Sequence, residues 1–321
     1  MSEIDTRALW YAGPGRAEIR PSAPGSGDVV VETLYSALSR GTERLVFEGR
    51  VPESERTRMR APMQEGDFPF PVKYGYAAVG RVIAGPEALL GRVVFCLHPH
   101  QRAFVVPSTG VVPVPDGVPP RRATLAANME TALNAIWDAG LEPGQDVAVI
   151  GAGLLGCLVA HLAQTYADCN VTLADIRPQR RVTAGEIGVN FTTKLPAGAG
   201  FATVFHTSAS PAGLQAGLDA LGFEGRLVEL SWYGDRPVTL HLGGAFHSQR
   251  LSIVSSQVGA VAPSRRGRLS HRDRLAEALS LLRDDRLDAL ITSEIEFDRL
   301  ADRIGEALGS RAEGIATIIT Y

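Results

Sequence analysis

The sequence predicts an α/β protein in which a β-rich N-terminal domain precedes a doubly wound parallel sheet. Three observations predict it. Gly- and Pro-punctuated β-rich runs fill the chain up to about residue 120, helix and strand patterns alternate from Arg122 onward, and a glycine-rich turn joins an apolar strand to an apolar helix after Asp146.

The N-terminal runs at 28–34, 77–83 and 91–97 have the spacing of strands in a small barrel or sandwich. Residues 53–65 mix both charge signs and read as a solvated loop or short helix. Beyond Arg122, strands are expected at 146–150, 170–174, 203–207, 226–231 and 251–255, with helices at 123–139, 154–167, 178–187, 211–222 and 243–248. A basic segment follows, with Arg265, Arg266, Arg268, His271, Arg272 and Arg274 leading into a helix at 275–283. With Asp273 and Glu277 beside them these arginines read as a solvated loop, the alternative being attraction of an anionic substrate. The last 30 residues return to strand, helix, strand and end at Tyr321.

Composition narrows the function classes. With 321 residues, 45% hydrophobic and 21% charged, the chain has room for two globular domains. A formal net charge of −3 supplies no field for gripping nucleic acid. No run of about 18 apolar residues and no basic, then apolar, leader is present, so a cytoplasmic protein without membrane association is expected. Cys96, Cys157 and Cys169 lie 61 and 12 residues apart with no CxxC pair, which argues against a disulfide framework and a structural zinc site.

The stretch from Asp146 to Asp175 carries the chemistry. Gly151 permits a tight turn out of the strand, Gly153 lets backbone approach a pyrophosphate, and Gly156 lets the helix pack closely on the sheet. With Leu154 and Leu155, these residues open a helix whose first N–H groups and positive dipole end favour phosphate. Asp175 lies 19 residues after Gly156, where an acidic residue for the adenosine ribose hydroxyls is expected. This is the Rossmann dinucleotide fingerprint. Ile176 and Arg180 follow it, and Arg177, Arg180 and Arg181 raise the question of NADP. A carboxylate at 175 would repel a 2′-phosphate, so NAD(H) is favoured and NADP(H) is the alternative.

Gly41-Thr42-Glu43, the run from Pro71 through Gly75 to Gly80, Gly91-Arg92-Val93, Pro113 to Gly117 and Thr131-Ala132-Leu133 precede that fingerprint, and in this arrangement the chain resembles the medium-chain dehydrogenase/reductase superfamily. The resemblance implies a GroES-like β-barrel substrate domain at 1–122, a Rossmann domain at 123–264, and a return segment at 265–321 that completes the first domain. The segments around Leu34–Arg44 and Pro71–Tyr76 are similar to the branch that includes the bacteriochlorophyllide hydroxyethyl dehydrogenases.

The zinc-ligand positions of that superfamily are altered here. Arg40 stands for a Cys, Tyr76 for a His, and Ala127 or Asn128 for a Cys or Asp, so none supplies thiolate, imidazole or carboxylate. No metal site is expected, and His98 and His100 read as part of a surface or cleft loop. Without zinc a proton donor must serve the developing alkoxide or enolate. Tyr76 either does this, with Lys73 and Arg40 as the cations that would lower its phenol pKa, or fills the space left by the metal. Thr42 matches the residue that relays the alcohol proton, or caps a turn. Glu130 is a third catalytic candidate, or a complement to its helix dipole. For the cofactor the resemblance implies Thr131 near the carboxamide, Ser208 in the loop crossing the cofactor, and Gln257 and Val258 facing the carboxamide, while Trp232 and Tyr233, at the carboxyl end of the sheet, would wall the nicotinamide or an aromatic substrate.

The resulting expectation is an NAD(H)-dependent, zinc-independent oxidoreductase acting on a carbonyl/alcohol pair of a small organic substrate. The alternatives are an NAD(P)H-dependent reductase of an activated C=C bond and a non-catalytic NAD(P)-binding protein. The apolar run at 251–255 ends the nucleotide sheet, and pairing of that edge across a twofold axis predicts a homodimer.

Overall fold

The computed structural model describes residues 4–321. The chain divides into two units: residues 1–127, 279–283 and 291–321 form one, and residues 128–278 and 284–290 the other. The fold is α/β, with a Rossmann-like parallel sheet in one unit and antiparallel and mixed sheets in the other. The boundary expected at 265 falls later. Residues 265–278 stay with the parallel sheet, and the return to the β-rich unit is made by Leu279–Arg283 and then from Ile291.

In the β-rich unit, Val29–Ala37 is the central strand. It pairs antiparallel with Ala78–Ala84, Ala103–Val106 and the C-terminal Ala316–Thr320. Ala316–Thr320 also pairs in parallel with Ile291–Glu296, so the end of the chain completes this sheet. Alternation explains the core: Val29, Val31, Val82, Val94, Phe104 and Val111 point to one buried cluster while Arg81 and Ile83 face out. A second sheet orders Arg16–Arg20, Ala8–Gly13, Val72–Lys73 and Glu65–Gly66.

The parallel sheet runs Asn190–Thr192, Asn170–Ala174, Asp146–Ile150, Phe201–His206, Leu221–Glu229, Ser252–Ser255. Numbered by appearance in the sequence this is the order 3-2-1-4-5-6, which reverses direction at Asp146–Ile150 and makes a crevice at the carboxyl ends of the strands there. Val147, Ala148, Val149 and Leu173 are fully buried, as strands covered by helices on both faces must be. Asp146–Ile150 and Asn170–Ala174 have the expected bounds, whereas the three-residue strand Asn190–Thr192 was not anticipated. Ser252–Ser255 is the sheet edge.

Candidate functional site

The glycine turn is built for close approach. Gly151 has φ +105°, open to glycine and strained for other residues, and a Cβ there would stand 2.9 Å from the Thr207 hydroxyl oxygen. A Cβ on Gly156 would lie 1.8 Å from the Gly151 carbonyl oxygen, so only glycine lets the helix Leu154–Thr165 start this near the strand. A Cβ on Gly153 would meet nothing within 4 Å, which leaves the turn open on that side. Gly153 is the N-cap and no side chain caps the helix, so the N–H groups of its first turn, at Leu154, Leu155 and Gly156, present an uncapped positive end suited to a pyrophosphate. The residues present therefore fit a dinucleotide.

Asp175 closes the turn. Its Oδ2 accepts from Ala152 N at 2.8 Å and its Oδ1 from Arg177 N at 2.8 Å, so the carboxylate ties the glycine loop to the next strand and keeps a lone pair on each oxygen for a sugar. Ile176 beside it is 88% exposed, an apolar surface at the expected adenosine end. Arg180 is buried at the start of its helix, and Arg181 stacks over Phe191.

At the carboxyl ends of the neighbouring strands, Ser208 is exposed while His206 is fully buried between it and Glu229. Tyr233 donates to Glu229 at 3.1 Å, and burial, followed by the Glu229 charge, holds its phenol pKa well above the usual value. Trp232 is half-buried beside it. Gln257 is exposed and accepts from Gly259 N, and Val258 is half-buried. Thr131 is half-buried on the helix Ala126–Ala139. Asn128 Nδ2, at the third altered zinc position, is buried with no hydrogen-bond partner, a donor suited to a ligand acceptor.

Glu130 is placed differently from the catalytic expectation. It is buried and paired with Arg274, Nε to Oε1 at 3.0 Å. Burial raises its carboxyl pKa against the pull of the guanidinium. Arg274 is 1% exposed and also donates to Asn134 Oδ1, Ala260 O and Val258 O, so the basic segment is not simply a solvated loop: its arginine at 274 anchors the 258–260 backbone.

In the β-rich unit, burial pushes the Tyr76 phenol up to about 12, against a lowering influence of the Ser39 and Thr42 hydroxyls. The expected cations do not act on it. Lys73 faces Glu65 and Gln101, and Arg40 donates to the carbonyls of Ala312 and Gly314. Thr42 lies on the helix Arg40–Phe47 next to Glu43, which is completely buried and accepts from Tyr11 OH at 2.7 Å, Ser39 N at 2.7 Å and His100 Nε2 at 3.0 Å. His98 and His100 are therefore not a surface loop. Both are buried, His98 stacked on Phe104 with centroids 3.8 Å apart, and His100 held between Glu43 and the Ser36 hydroxyl. Burial lowers the His98 pKa to about 3. Arg40 and Tyr76 carry no zinc-type donor, and among the described residues no group of three or more His, Cys, Asp or Glu is placed to hold a metal. Sequence reasoning missed the His100–Glu43 and His206–Glu229 contacts.

No protein-family model matches the chain. The 2-desacetyl-2-hydroxyethyl bacteriochlorophyllide A dehydrogenase of Cereibacter sphaeroides is 29% identical over 178 residues, 53% of this chain and 48% of that protein. The enzyme of the same name from Rhodobacter capsulatus is 23% identical over 286 residues, 79% of this chain and 85% of its own length. The first of these matches thus spans about half of the relative. Among solved structures, a protein from Sinorhizobium meliloti assigned as a zinc-binding dehydrogenase and bound to NADP superposes with a TM-score of 0.78 at 17% identity, covering 99% of this chain and 100% of that one. An alcohol dehydrogenase from Escherichia coli complexed with NADH gives 0.77 at 17% identity, covering 98% and 99%. In sequence the chain is thus similar to these dehydrogenases, and it shares the fold of the solved dehydrogenase structures.

Proposed function

We propose that the chain is a cytoplasmic, zinc-independent oxidoreductase that uses NAD(H) to interconvert the carbonyl and alcohol forms of a small organic substrate. The observation that carries the reading is the glycine turn. Gly151 and Gly156 leave room for no side chain, the helix N-terminus is uncapped, and Asp175 is tied to the turn. Asp175 supports NAD(H) over NADP(H), since its carboxylate would repel a 2′-phosphate.

When bound, the nicotinamide supplies or accepts the hydride. The chain's own residues hold the dinucleotide through the N–H groups of Leu154–Gly156 and the Asp175 carboxylate. Asn128 Nδ2 offers a donor for a ligand oxygen. Tyr76 keeps its proton throughout the neutral range because its pKa stands at about 12, and it hands that proton to an alkoxide, a much stronger base, as the carbonyl is reduced. The hydroxyls of Ser39 and Thr42, which act on the phenol, offer a path for its reprotonation. Glu130, committed to Arg274, is assigned to positioning.

The test is Tyr76→Phe. NADH affinity and fold stay intact, and turnover falls about a hundredfold or more, the scale of general acid catalysis. A change below about threefold reduces Tyr76 to a space-filling ring and moves the search for the donor to Thr42.

A further inference from the structure

The carboxyl ends of two neighbouring strands carry an acid–base chain that the reading above does not use. Phe201–His206 and Leu221–Glu229 pair in parallel with His206 opposite Glu229, so both side chains emerge at the same level on one face of the sheet. His206 Nδ1 lies 2.9 Å from Glu229 Oε2 and 3.0 Å from Oε1, and its Nε2 lies 2.7 Å from Ser208 Oγ. The carboxylate also accepts from Ser231 N at 2.7 Å and Tyr233 OH at 3.1 Å. The titratable groups that face the imidazole are thus Glu229 and Tyr233, the latter stacked on it with centroids 6.5 Å apart.

The donor and acceptor roles follow from this geometry. A carboxylate only accepts, so Nδ1 carries the proton that points at Glu229, and Nε2 of the neutral ring is left as the acceptor. Ser208 must then donate its hydroxyl proton to Nε2. One of its lone pairs takes Ser210 N at 3.3 Å, and the other is open, since Ser208 is exposed while His206 is fully buried.

Two backbone features support a built site. Ala209 holds φ at +51°, a conformation that a residue with a side chain adopts only when its surroundings impose it. Gly213, in the first turn of the helix Pro211–Ala220, leaves the room the pair needs: a Cβ there would stand 2.8 Å from Ser208 Oγ and 3.1 Å from His206 Nε2.

We propose that Ser208, His206 and Glu229 form a proton relay whose open end, the Ser208 oxygen, receives a hydroxyl group of the bound ligand, either a sugar hydroxyl of the cofactor or the substrate alcohol. In the oxidising direction the ligand O–H proton passes to Ser208 Oγ as the Ser208 proton passes to His206 Nε2. The resulting imidazolium is held by the Glu229 carboxylate and later returns its proton to solvent. The reverse sequence returns the proton to the same hydroxyl during reduction, and where that hydroxyl is the substrate's the relay takes the place of Tyr76 as donor. No other reactant is required. Ser208 is the group that touches ligand, and His206 and Glu229 act through it. The ligand named here rests on the proposed nicotinamide-dependent function.

Two measurements decide it. In the protein labelled with ¹⁵N-histidine, with the His206 signal assigned by its loss in His206→Gln, the neutral ring should carry its proton on Nδ1; a proton on Nε2 overturns the relay whatever the ligand. NADH titration and steady-state kinetics are then compared for the unmodified protein, Ser208→Ala and Ser208→Thr. A sugar hydroxyl at Ser208 weakens NADH about three- to tenfold in the Ala variant, the scale of one hydrogen bond, and Thr restores it. A substrate hydroxyl instead leaves NADH affinity unchanged and lowers kcat about tenfold or more, with a changed solvent isotope effect. Unchanged NADH affinity together with unchanged kcat in Ser208→Ala overturns the proposal. Failure of the unmodified chain to bind NADH at all refutes the proposed function, while the tautomer still decides the relay.

Discussion

Arg274→Met is the sharpest test of what organises the parallel-sheet unit. The guanidinium is 1% exposed and makes one ionic contact, to Glu130 at 3.0 Å, and three neutral ones, to Asn134 Oδ1 at 2.6 Å, Ala260 O at 3.1 Å and Val258 O. Met replaces much of the stem but none of the donors, and it leaves a buried carboxyl without its cation. Removing one member of a buried pair costs about 3–5 kcal/mol. For a unit of this size each kcal/mol is worth roughly 2–4 °C, so the transition of this unit should fall by roughly 6–20 °C. Trp137 and Trp232 lie in this unit and report its unfolding by fluorescence in urea.

The pH dependence of that loss has a definite sign. Burial already raises the Glu130 carboxyl pKa, and Arg274 is the main group pulling it down. Without Arg274 it rises further, so above the ordinary carboxyl value the folded state binds more protons than the unfolded one, and stability falls as pH rises through that window. The deficit of the variant should therefore be larger at pH 8 than at pH 5. Adding Glu130→Gln removes the stranded charge and should recover about 1–3 kcal/mol at pH 8. A loss below about 1 kcal/mol for Arg274→Met, or a larger deficit at pH 5, would refute the assignment of Arg274 and Glu130 as a buried structural pair.

Three further outcomes are expected. Asp175→Ser should narrow or reverse a preference for NADH over NADPH by roughly ten- to a hundredfold in binding titrations, the scale of a lost charged hydrogen bond; tighter NADPH binding by the unmodified chain would assign specificity to the neighbouring arginines instead. Elemental analysis should find well under one zinc per chain, and chelator should leave the melting temperature unchanged, because Arg40 and Tyr76 offer no zinc-type donor. Sedimentation at micromolar concentration should give a homodimer paired through the Ser252–Ser255 edge, and Ile253→Lys on that strand should shift it toward monomer.

The nucleotide unit was legible because its signals are local. An apolar strand, three glycines at fixed spacing and an acid 19 residues on occupy one continuous stretch, and each has a steric or electrostatic reason visible in the residues themselves. The strand Asn190–Thr192 escaped because three residues are too few to show a period. Glu130 and Arg274 lie 144 residues apart, and nothing in either segment distinguishes a carboxylate that complements a helix dipole from one that awaits a distant cation. His206 and Glu229 were nearer to reach. Each is the last residue of its strand, and aligning the two apolar runs end to end sets them side by side in the parallel register. The return boundary moved from 265 because that basic segment contains the buried Arg274, whose contacts all lie within the nucleotide unit.

The altered zinc positions raise a question of rigidity as well as chemistry, since a metal fixes the groups around it. In the β-rich unit hydrogen bonds do this instead. Gly75 takes φ +131°, and a Cβ there would stand 3.0 Å from His100 Nε2, so the backbone carrying Tyr76 rests on that imidazole. His100 is held at one nitrogen by Ser36 Oγ at 2.8 Å and at the other by Glu43 at 3.0 Å. Glu43 in turn receives Ser39 N at 2.7 Å, at the start of the helix that carries Thr42. Ser39 and Thr42 are also the hydroxyl residues that act on the Tyr76 phenol. Both segments that meet at that phenol are therefore tied to one buried imidazole–carboxylate pair. A fixed donor needs no reorganisation as charge develops, which is the condition for a neutral phenol to replace a Lewis acid. It follows that His100→Ala should lower turnover through Tyr76 while leaving the nucleotide-binding unit, and with it NADH affinity, unchanged.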